Sequence, residues 1–387
     1  MKLHSKFVTS CQSIDEYDWQ RCFASEQPFT HYHFINTLET TGCVTQQTGW
    51  QPCHLVLAND HQQVVAIVIL YIKSHSYGEY LFDWSWADAF QQHGIAYYPK
   101  IVSAVPFTPV TGQRFGIADE FLADKAYILS QATQAINALA KQIDASMVQC
   151  LFLPEPYAEA LQLNGWLKRC DVQYHWFNRN YQDFSDFLLA LNARKRKSIN
   201  KERQAIVKQG ITVKTYLAEQ LTDEHWQTFY RFYQATYMKR SGHDGYLSSA
   251  FFDALANPAL GIAQRSALVF AYREGRTIAA ALFFYDDDQL YGRYWGAEQV
   301  FNNLHFELCY YQGIELCIKL GLSRFNAGAQ GQHKLKRGFE PVYIHGSYRI
   351  YQPIFADAIA DFIEREEAQL TQYVAQAQTE LPYKLSG

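Results

Sequence analysis

Short apolar runs broken by polar turns alternate along this chain with long amphipathic stretches, and the alternation occurs twice. Residues 55–71 read LVLANDHQQVVAIVILY and residues 268–284 read LVFAYREGRTIAAALFF. Each holds two β-rich runs across a polar turn, Asn59-Asp60 or Glu274-Gly275, which predicts a hairpin. Tyr77-Gly-Glu-Tyr80 comes after the first and Tyr291-Gly-Arg-Tyr294 after the second, both read as strands and displaced by about 213 residues, like the hairpins. Two landmarks in one register indicate an internal repeat. A loop and a helical pattern come next in each copy. The first spans 124–144, with apolar residues at 126, 128, 129, 132, 136, 139, 140 and 143. The second spans about 304–320 and stops at Gly321. Short strands are expected at 148–153 and 323–326, then a Gly-aromatic element (Gly165-Trp166, Gly338-Phe339) and a last aromatic strand.

Hairpin, strand, loop, helix, strand, helix, strand is the order of an acetyltransferase domain. The predicted fold is therefore α/β: two tandem acetyltransferase-like (GNAT) domains, each a mixed, mostly antiparallel sheet flanked by helices. The expected domains are 1–182 and 183–387, the second opening on a linking helix at 184–209. From Arg194 to Lys208 that helix carries Arg194-Lys-Arg-Lys197, Lys201, Arg203 and Lys208 against the single acid Glu202. Such a run grips phosphate or a tRNA backbone, or is a solvated helix face. A final helix at about 355–377, acidic at Glu364, Glu366 and Glu367, is expected to pack against the body of the protein.

Composition narrows the classes. The 387 residues are 48% hydrophobic and 19% charged, as in a globular protein with a large core. Aromatics reach 16% and serve both cores and ligand pockets. A net charge of −4 supplies no global field for nucleic acid; DNA is not an expected partner, and RNA would need a local patch. The N-terminus lacks a signal-peptide run, and the longest apolar stretch, 64–72, is strand-like, too short for a membrane span. A cytoplasmic protein is expected. Eight cysteines without CxxC spacing read as reduced thiols. No metal site is expected, because His31-Tyr-His33 and His305-Phe-Glu307 lack a supporting ligand cluster.

Four segments carry a resemblance to a known family. Residues 73–89 (KSHSYGEYLFDWSWADA), Tyr97-Tyr-Pro-Lys100 followed by 105–112 (VPFTPVTG), 305–312 (HFELCYYQ) and 328–339 (GAQGQHKLKRGF) resemble the FemAB-like predicted N-acyltransferases, through most of the chain. The resemblance implies tandem acetyltransferase folds and transfer of an acyl or aminoacyl group to an amine. It implies acyl-CoA or aminoacyl-tRNA as co-substrate, and an amine-bearing small molecule or peptidoglycan precursor as acceptor, with tRNA as a further partner. The alternative is a catalytically silent module of the same fold that binds such a precursor. Where the family more often has Glu, this chain has Gln332, which can hydrogen-bond but cannot act as a base.

Acyl transfer to an amine needs a base, oxyanion donors and an acid for the leaving group. The first half offers Glu79 and Asp83 as catalytic candidates, with His75, Trp84, Trp86, Tyr98, Lys100 and Arg114 to bind substrate. A carboxylate within so aromatic a stretch is either paired or held with a raised pKa. The second half offers His305, Glu307 and His333 as catalytic candidates, with Arg293, Gln330, Lys334 and Arg337 as substrate ligands; its small residues and cations suit an anion. Gln113, Gly116 and Ala118 match the spacing of an acetyl-CoA pyrophosphate loop before a helix. A Cys–His nucleophile is not expected, since nothing near Cys309 or Cys317 would lower a thiol pKa.

Overall fold

Both expected hairpins are present, and each lies next to an earlier strand that completes an antiparallel set. The computed structural model describes residues 1–24, 27–329 and 331–384. In chain order, its first eight strands are β1 (Leu3–Val8), β2 (Trp50–Pro52), β3 (His54–Asn59), β4 (Val64–Val68), β5 (Tyr71–Lys73), β6 (Lys100–Ser103), β7 (Phe115–Ile117) and β8 (Met147–Leu153). The rest are β9 (Leu167–Phe177), β10 (Ile211–Leu217), β11 (Ser266–Arg273), β12 (Arg276–Tyr285), β13 (Gln289–Ala297), β14 (Arg324–Asn326) and β15 (Glu340–Ile350).

The chain forms two compact units. Unit 1 is Met1–Asp171 with Tyr343–Gln372, and unit 2 is Val172–Val342 with the chain from Tyr373 on. The sequence places one cut at 182/183; the units are instead discontinuous, because β15 and the helix Pro353–Thr379 each carry the chain from one unit into the other.

In unit 1, β1, β3, β4 and β7 pair in that order, all antiparallel. Strands β2, β5, β6, β8 and the end of β15 continue the unit, with β6 and β8 parallel. The core packs Leu55, Val68, Ile101, Ile136, Val148 and Trp166 together. Unit 2 has the order β10, β11, β12, β13, β14, then the end of β9, with only β13 and β14 parallel. Ile199, Ala279, Leu308, Ile314 and Phe325 lie in its core. Full burial of each such Leu, Ile or Phe side chain contributes roughly 1.5–3 kcal/mol. Gly296 is required where β13 crosses the helix Asp223–Ser241: a Cβ there would lie 2.2 Å from the Phe232 carbonyl.

The pairings make β1, β3 and β4 the counterparts of β10, β11 and β12. They also correct the second sequence landmark. Tyr291–Tyr294 lies in β13, but Tyr77–Tyr80 is a turn, with Gly78 at φ +82 and Tyr80 at φ +64. The third strand of unit 1 comes later in the chain and is split. β6 pairs with β5 and with β8, while β7 pairs with β4; unit 2 makes the same set of pairings with the continuous β13. The interval 104–114 is thus an insertion within a strand. The long helices obey the amphipathic pattern, Lys125–Gln142 in unit 1 and 304–319 in unit 2, the latter with a π-turn at Glu307–Tyr311. The expected linking helix is two, Phe184–Ala190 and Ala193–Lys208, because Asn192 caps the second by accepting from the Lys195 amide.

Candidate functional site

In unit 1 the motif residues form a buried charge network. Lys100, on β6, is fully buried and donates to Glu79 Oε2 at 2.7 Å, to Ser76 Oγ at 2.8 Å and to Asp83. Tyr97 and the Gln149 amide, each at 2.6 Å, donate to the same Asp83 oxygen. Lys73 lies 3.9 Å from Glu79 and 3.6 Å above the Trp50 ring. Burial pushes Glu79 up to about 7 even beside Lys100. It also pulls Lys73 down to about 7. For Asp83, burial acts upward but the Lys100 charge and the hydrogen bonds outweigh it, holding the carboxyl below its usual range. Two cations and two carboxylates compensate one another here, and the turn that presents them has no strand geometry to put them on a substrate face. The Asp83 carboxylate does not cap the helix Trp84–Gln92; its carbonyl accepts the Trp86 and Ala87 amides instead.

The remaining unit 1 candidates divide by exposure. Trp84 is 39% exposed and Tyr77 55%, with ring centroids 5.1 Å apart, and His75 packs on Tyr77 while bonding the Thr48 carbonyl at 2.9 Å. Tyr98 is half-buried against Ser76, at 2.9 Å. Trp86 is core, packed on Tyr348 and Phe362. Arg114 is a structural cap: fully buried, it donates to the carbonyls of Leu151, Gln113 and Val110, and burial lowers it to about 9.

The pyrophosphate-loop reading of Gln113, Gly116 and Ala118 is corrected. Gly116 pairs within β7, where a Cβ would lie 2.9 Å from the Cys22 carbonyl, and the Ala118 amide is spent on Val65. The chain then enters a six-residue 3-10 turn, Asp119–Asp124, where the loop would need the N-terminus of an α-helix.

Unit 2 has an open site at the same place in its sheet. β13 and β14 pair only through 289–291 and 324–326; β13 then runs on while the chain leaves β14. A cavity of about 90 Å³ lies there, lined by Gly292, Arg293, Trp295, His305, Cys309, Tyr310 and Ala327 among others. Arg293 donates to the side-chain amide oxygen of Asn326 at 3.3 Å. Lys334, in the 3-10 turn Gln332–Arg337, is buried and donates to the carbonyls of Ala327 (3.1 Å) and Gly328 (2.7 Å). No carboxylate among the described residues pairs with it, and burial with the nearby Arg293 charge lowers it to about 7. His305 is lowered to about 4 by burial and by His333, Arg240, Lys334 and Arg337, and is neutral at neutral pH. His333 bonds the Tyr310 hydroxyl at 2.8 Å and is likewise lowered, mainly by burial.

Two unit 2 candidates are braces instead. The Glu307 carboxylate is held by Arg203 at 2.9 Å and Gln312 at 3.0 Å. Arg337 is committed to Glu202 (2.8 Å), Tyr311 and the His333 carbonyl, stacked 3.5 Å over Phe306. Gln330 lies outside the described residues. The sequence reading omits Lys73, Gln149, Tyr310 and Asn326. Alternation along β8 puts Gln149 beside β6, but nothing local marks it as a ligand of Asp83.

Among the described residues no group of three metal-ligating side chains is found, and no helix is long and apolar enough to cross a membrane. The crystal structure of FemX is similar at 12% identity and TM-score 0.51, covering 92% of this chain and 99% of that one. The C-terminal domain (DUF2156) of a putative lysylphosphatidylglycerol synthetase from Agrobacterium fabrum is similar at 10% identity and TM-score 0.50, over 90% and 96%. A tandem GNAT protein from the clavulanic acid biosynthesis pathway aligns over 91% and 99% at 10% identity and TM-score 0.48. No curated protein sequence matches. The FemAB-like family model, described as peptidoglycan biosynthesis/recognition, matches residues 10–385, nearly the whole chain, and this settles the family: the chain belongs to the FemAB-like family.

Proposed function

We propose that the protein is an N-acyltransferase whose donor enters the opening between β13 and β14 of unit 2. The observation that carries this reading is the cavity at the point where the two parallel strands part. β13 and β14 stop pairing beyond Tyr291 and Asn326, which places strand backbone beside the carbonyl whose oxyanion such a reaction must stabilise. A volume of about 90 Å³ takes the acyl end of a donor, not the whole of it.

The amine nitrogen attacks the carbonyl of a thioester or of an aminoacyl ester, the N–C bond forms, and the C–S or C–O bond breaks. The proton lost by the amine passes through the unprotonated His305 on the cavity wall to the departing sulfur or oxygen. Lys334 fixes the Ala327–Gly328 turn at the cavity through its hydrogen bonds to the two carbonyls. Acyl-CoA and aminoacyl-tRNA both present the required carbonyl, and the family description favours an amine of a peptidoglycan precursor as acceptor.

The test is transfer of a labelled acyl group from acyl-CoA or from charged tRNA to amine-bearing wall precursors. His305→Asn is expected to lower single-turnover transfer by roughly 10²–10⁴-fold with unchanged donor affinity. Tight precursor binding without transfer from either donor would replace this reading with a silent binding module.

A further inference from the structure

Away from the residues described above, unit 1 holds a cysteine, a histidine and a carboxylate in sequence. Cys170 on β9 is 8% exposed, and its Sγ lies 3.4 Å from Nδ1 of His345 on β15. Nε2 of the same ring faces Glu155 Oε1 at 3.8 Å. Glu155 is the first residue of the helix Glu155–Leu163, and Lys168 holds the same oxygen at 3.0 Å. The backbone explains how the three meet. His345 pairs with Leu153 but Gly346 pairs with Leu151, so Phe152 is an extra residue in β8, a bulge. Its φ of +58 is one that a bulky side chain rarely adopts. The extra residue carries the end of β8, and the helix start beyond it, toward His345. Such strain is retained where the surrounding structure needs a side chain aimed.

The order is that of a nucleophile, its base and the group that orients the base. Lys168 above all, and then His345, holds the Glu155 carboxyl below its usual range. It is an anion at neutral pH and favours the His345 tautomer with the proton on Nε2, so Nδ1 presents a lone pair to the sulfur. Burial, with the Lys168 charge, lowers His345, which keeps the ring neutral and able to take a proton. Burial pushes the Cys170 thiol up to about 11, so the resting sulfur is protonated and its reactivity depends on a base within reach. Cys53 isolates the contribution of that base. It is 7% exposed, and burial pushes it, too, up to about 11. The imidazole next to it in sequence, His54, is committed to Glu39 at 2.7 Å and to the Leu70 amide at 3.2 Å. With exposure and acidity matched, His345 is what separates the two thiols.

We propose that Cys170 is a nucleophilic thiol with His345 as its base, and that hydroperoxides modify it. An opening this small admits a reagent of the size of hydrogen peroxide more readily than a large electrophile. Sγ attacks one oxygen of hydrogen peroxide and the O–O bond breaks. The thiol proton passes to His345 Nδ1 and from there to the departing hydroxide, which leaves as water. The sulfur is oxidised to a sulfenic acid, the peroxide is reduced, and the ring returns to its neutral form. Glu155 is a positioning residue. Acyl transfer in unit 2 is not involved.

The experiment exposes the full chain near neutral pH to hydrogen peroxide with dimedone present, which traps sulfenic acids, and follows each cysteine peptide by mass spectrometry. Expected is an adduct at Cys170 that forms roughly 10²-fold faster than at Cys53, a comparison within one wild-type sample that needs no variant. His345→Gln, with its melting midpoint measured beside it, is expected to bring the Cys170 rate down to that of Cys53. Glu155→Gln is expected to slow Cys170 by a smaller factor and Glu155→Asp to recover part of that loss. Neither should alter the Cys53 rate, which reports any general opening of unit 1. Equal rates at Cys170 and Cys53 in the wild type overturn the proposal. So does a Cys170 rate that His345→Gln leaves unchanged, or an adduct that appears only where urea has unfolded the chain.

Discussion

Lys100 shows how far residue type alone can be read. Its motif, and those of Glu79 and Asp83, single out all three, yet whether the carboxylates face a substrate or a partner depends on strand register and on Lys73 and Gln149, which no local pattern connects to them. The buried network predicts its own energetics. Lys100→Met leaves Glu79 and Asp83 without the cation that holds both, which costs about 3–5 kcal/mol. Adding Glu79→Gln and Asp83→Asn to that variant is expected to restore part of the loss in urea denaturation. The network also has a pH signature. Glu79 titrates at about 7 in the fold against 4.5 for the free group, so between those values the folded state holds more protons than the unfolded one. Its contribution is fully present below 4.5 and is lost as pH rises through about 7. Glu79→Gln is therefore expected to flatten the fall in stability from pH 4.5 to 7, read from urea midpoints in matched buffers. An unaltered slope would mean that Glu79 is ionised throughout.

At the scale of elements, the periodic features were legible and the interrupted one was not. Hairpins, long helices and the glycine stop at Gly321 rest on local alternation and on the φ of +68 there, and they appear where the pattern puts them. The third strand of unit 1 escaped the pattern, because the insertion at 104–114 separates β6 from β7, and Tyr77-Gly-Glu-Tyr80 offered a nearer match in letters. Pairing with β4 and β5 decides the strand, and pairing is not local. The opening beyond β14 was illegible for the same reason: it is defined by where two strands stop pairing. Close approach of β13 to the helix Asp223–Ser241 gives a prediction at this scale. Gly296→Ala puts a methyl 2.2 Å from the Phe232 backbone, which cannot yield as a flexible side chain would. A loss of about 1–3 kcal/mol is expected, measured by chemical denaturation. Wild-type stability would show that β13 has room to shift.

For the whole molecule, duplication of a module does not imply duplication of its site. Unit 1 repeats the strand order of unit 2 down to the parallel pair β6–β8, yet it fills the place where unit 2 is open. Ala104 through Val110 are buried, the Gly112 amide bonds the Phe152 carbonyl at 3.0 Å, and Arg114 reaches the Leu151 carbonyl at 3.1 Å. The β8 backbone groups that would face an incoming donor are thereby satisfied by the chain itself. Opening that place would strip partners from buried carbonyls and from a buried guanidinium, at a cost of several kcal/mol, more than a small acyl group could return. One donor per chain is therefore expected. Isothermal titration with an acyl-CoA should give a stoichiometry near one, and Ala327→Leu, which narrows the unit 2 cavity, should abolish the heat while leaving the melting midpoint within a few degrees. Two sites per chain, or binding that survives Ala327→Leu, would assign the donor to a part of the molecule other than the opening between β13 and β14.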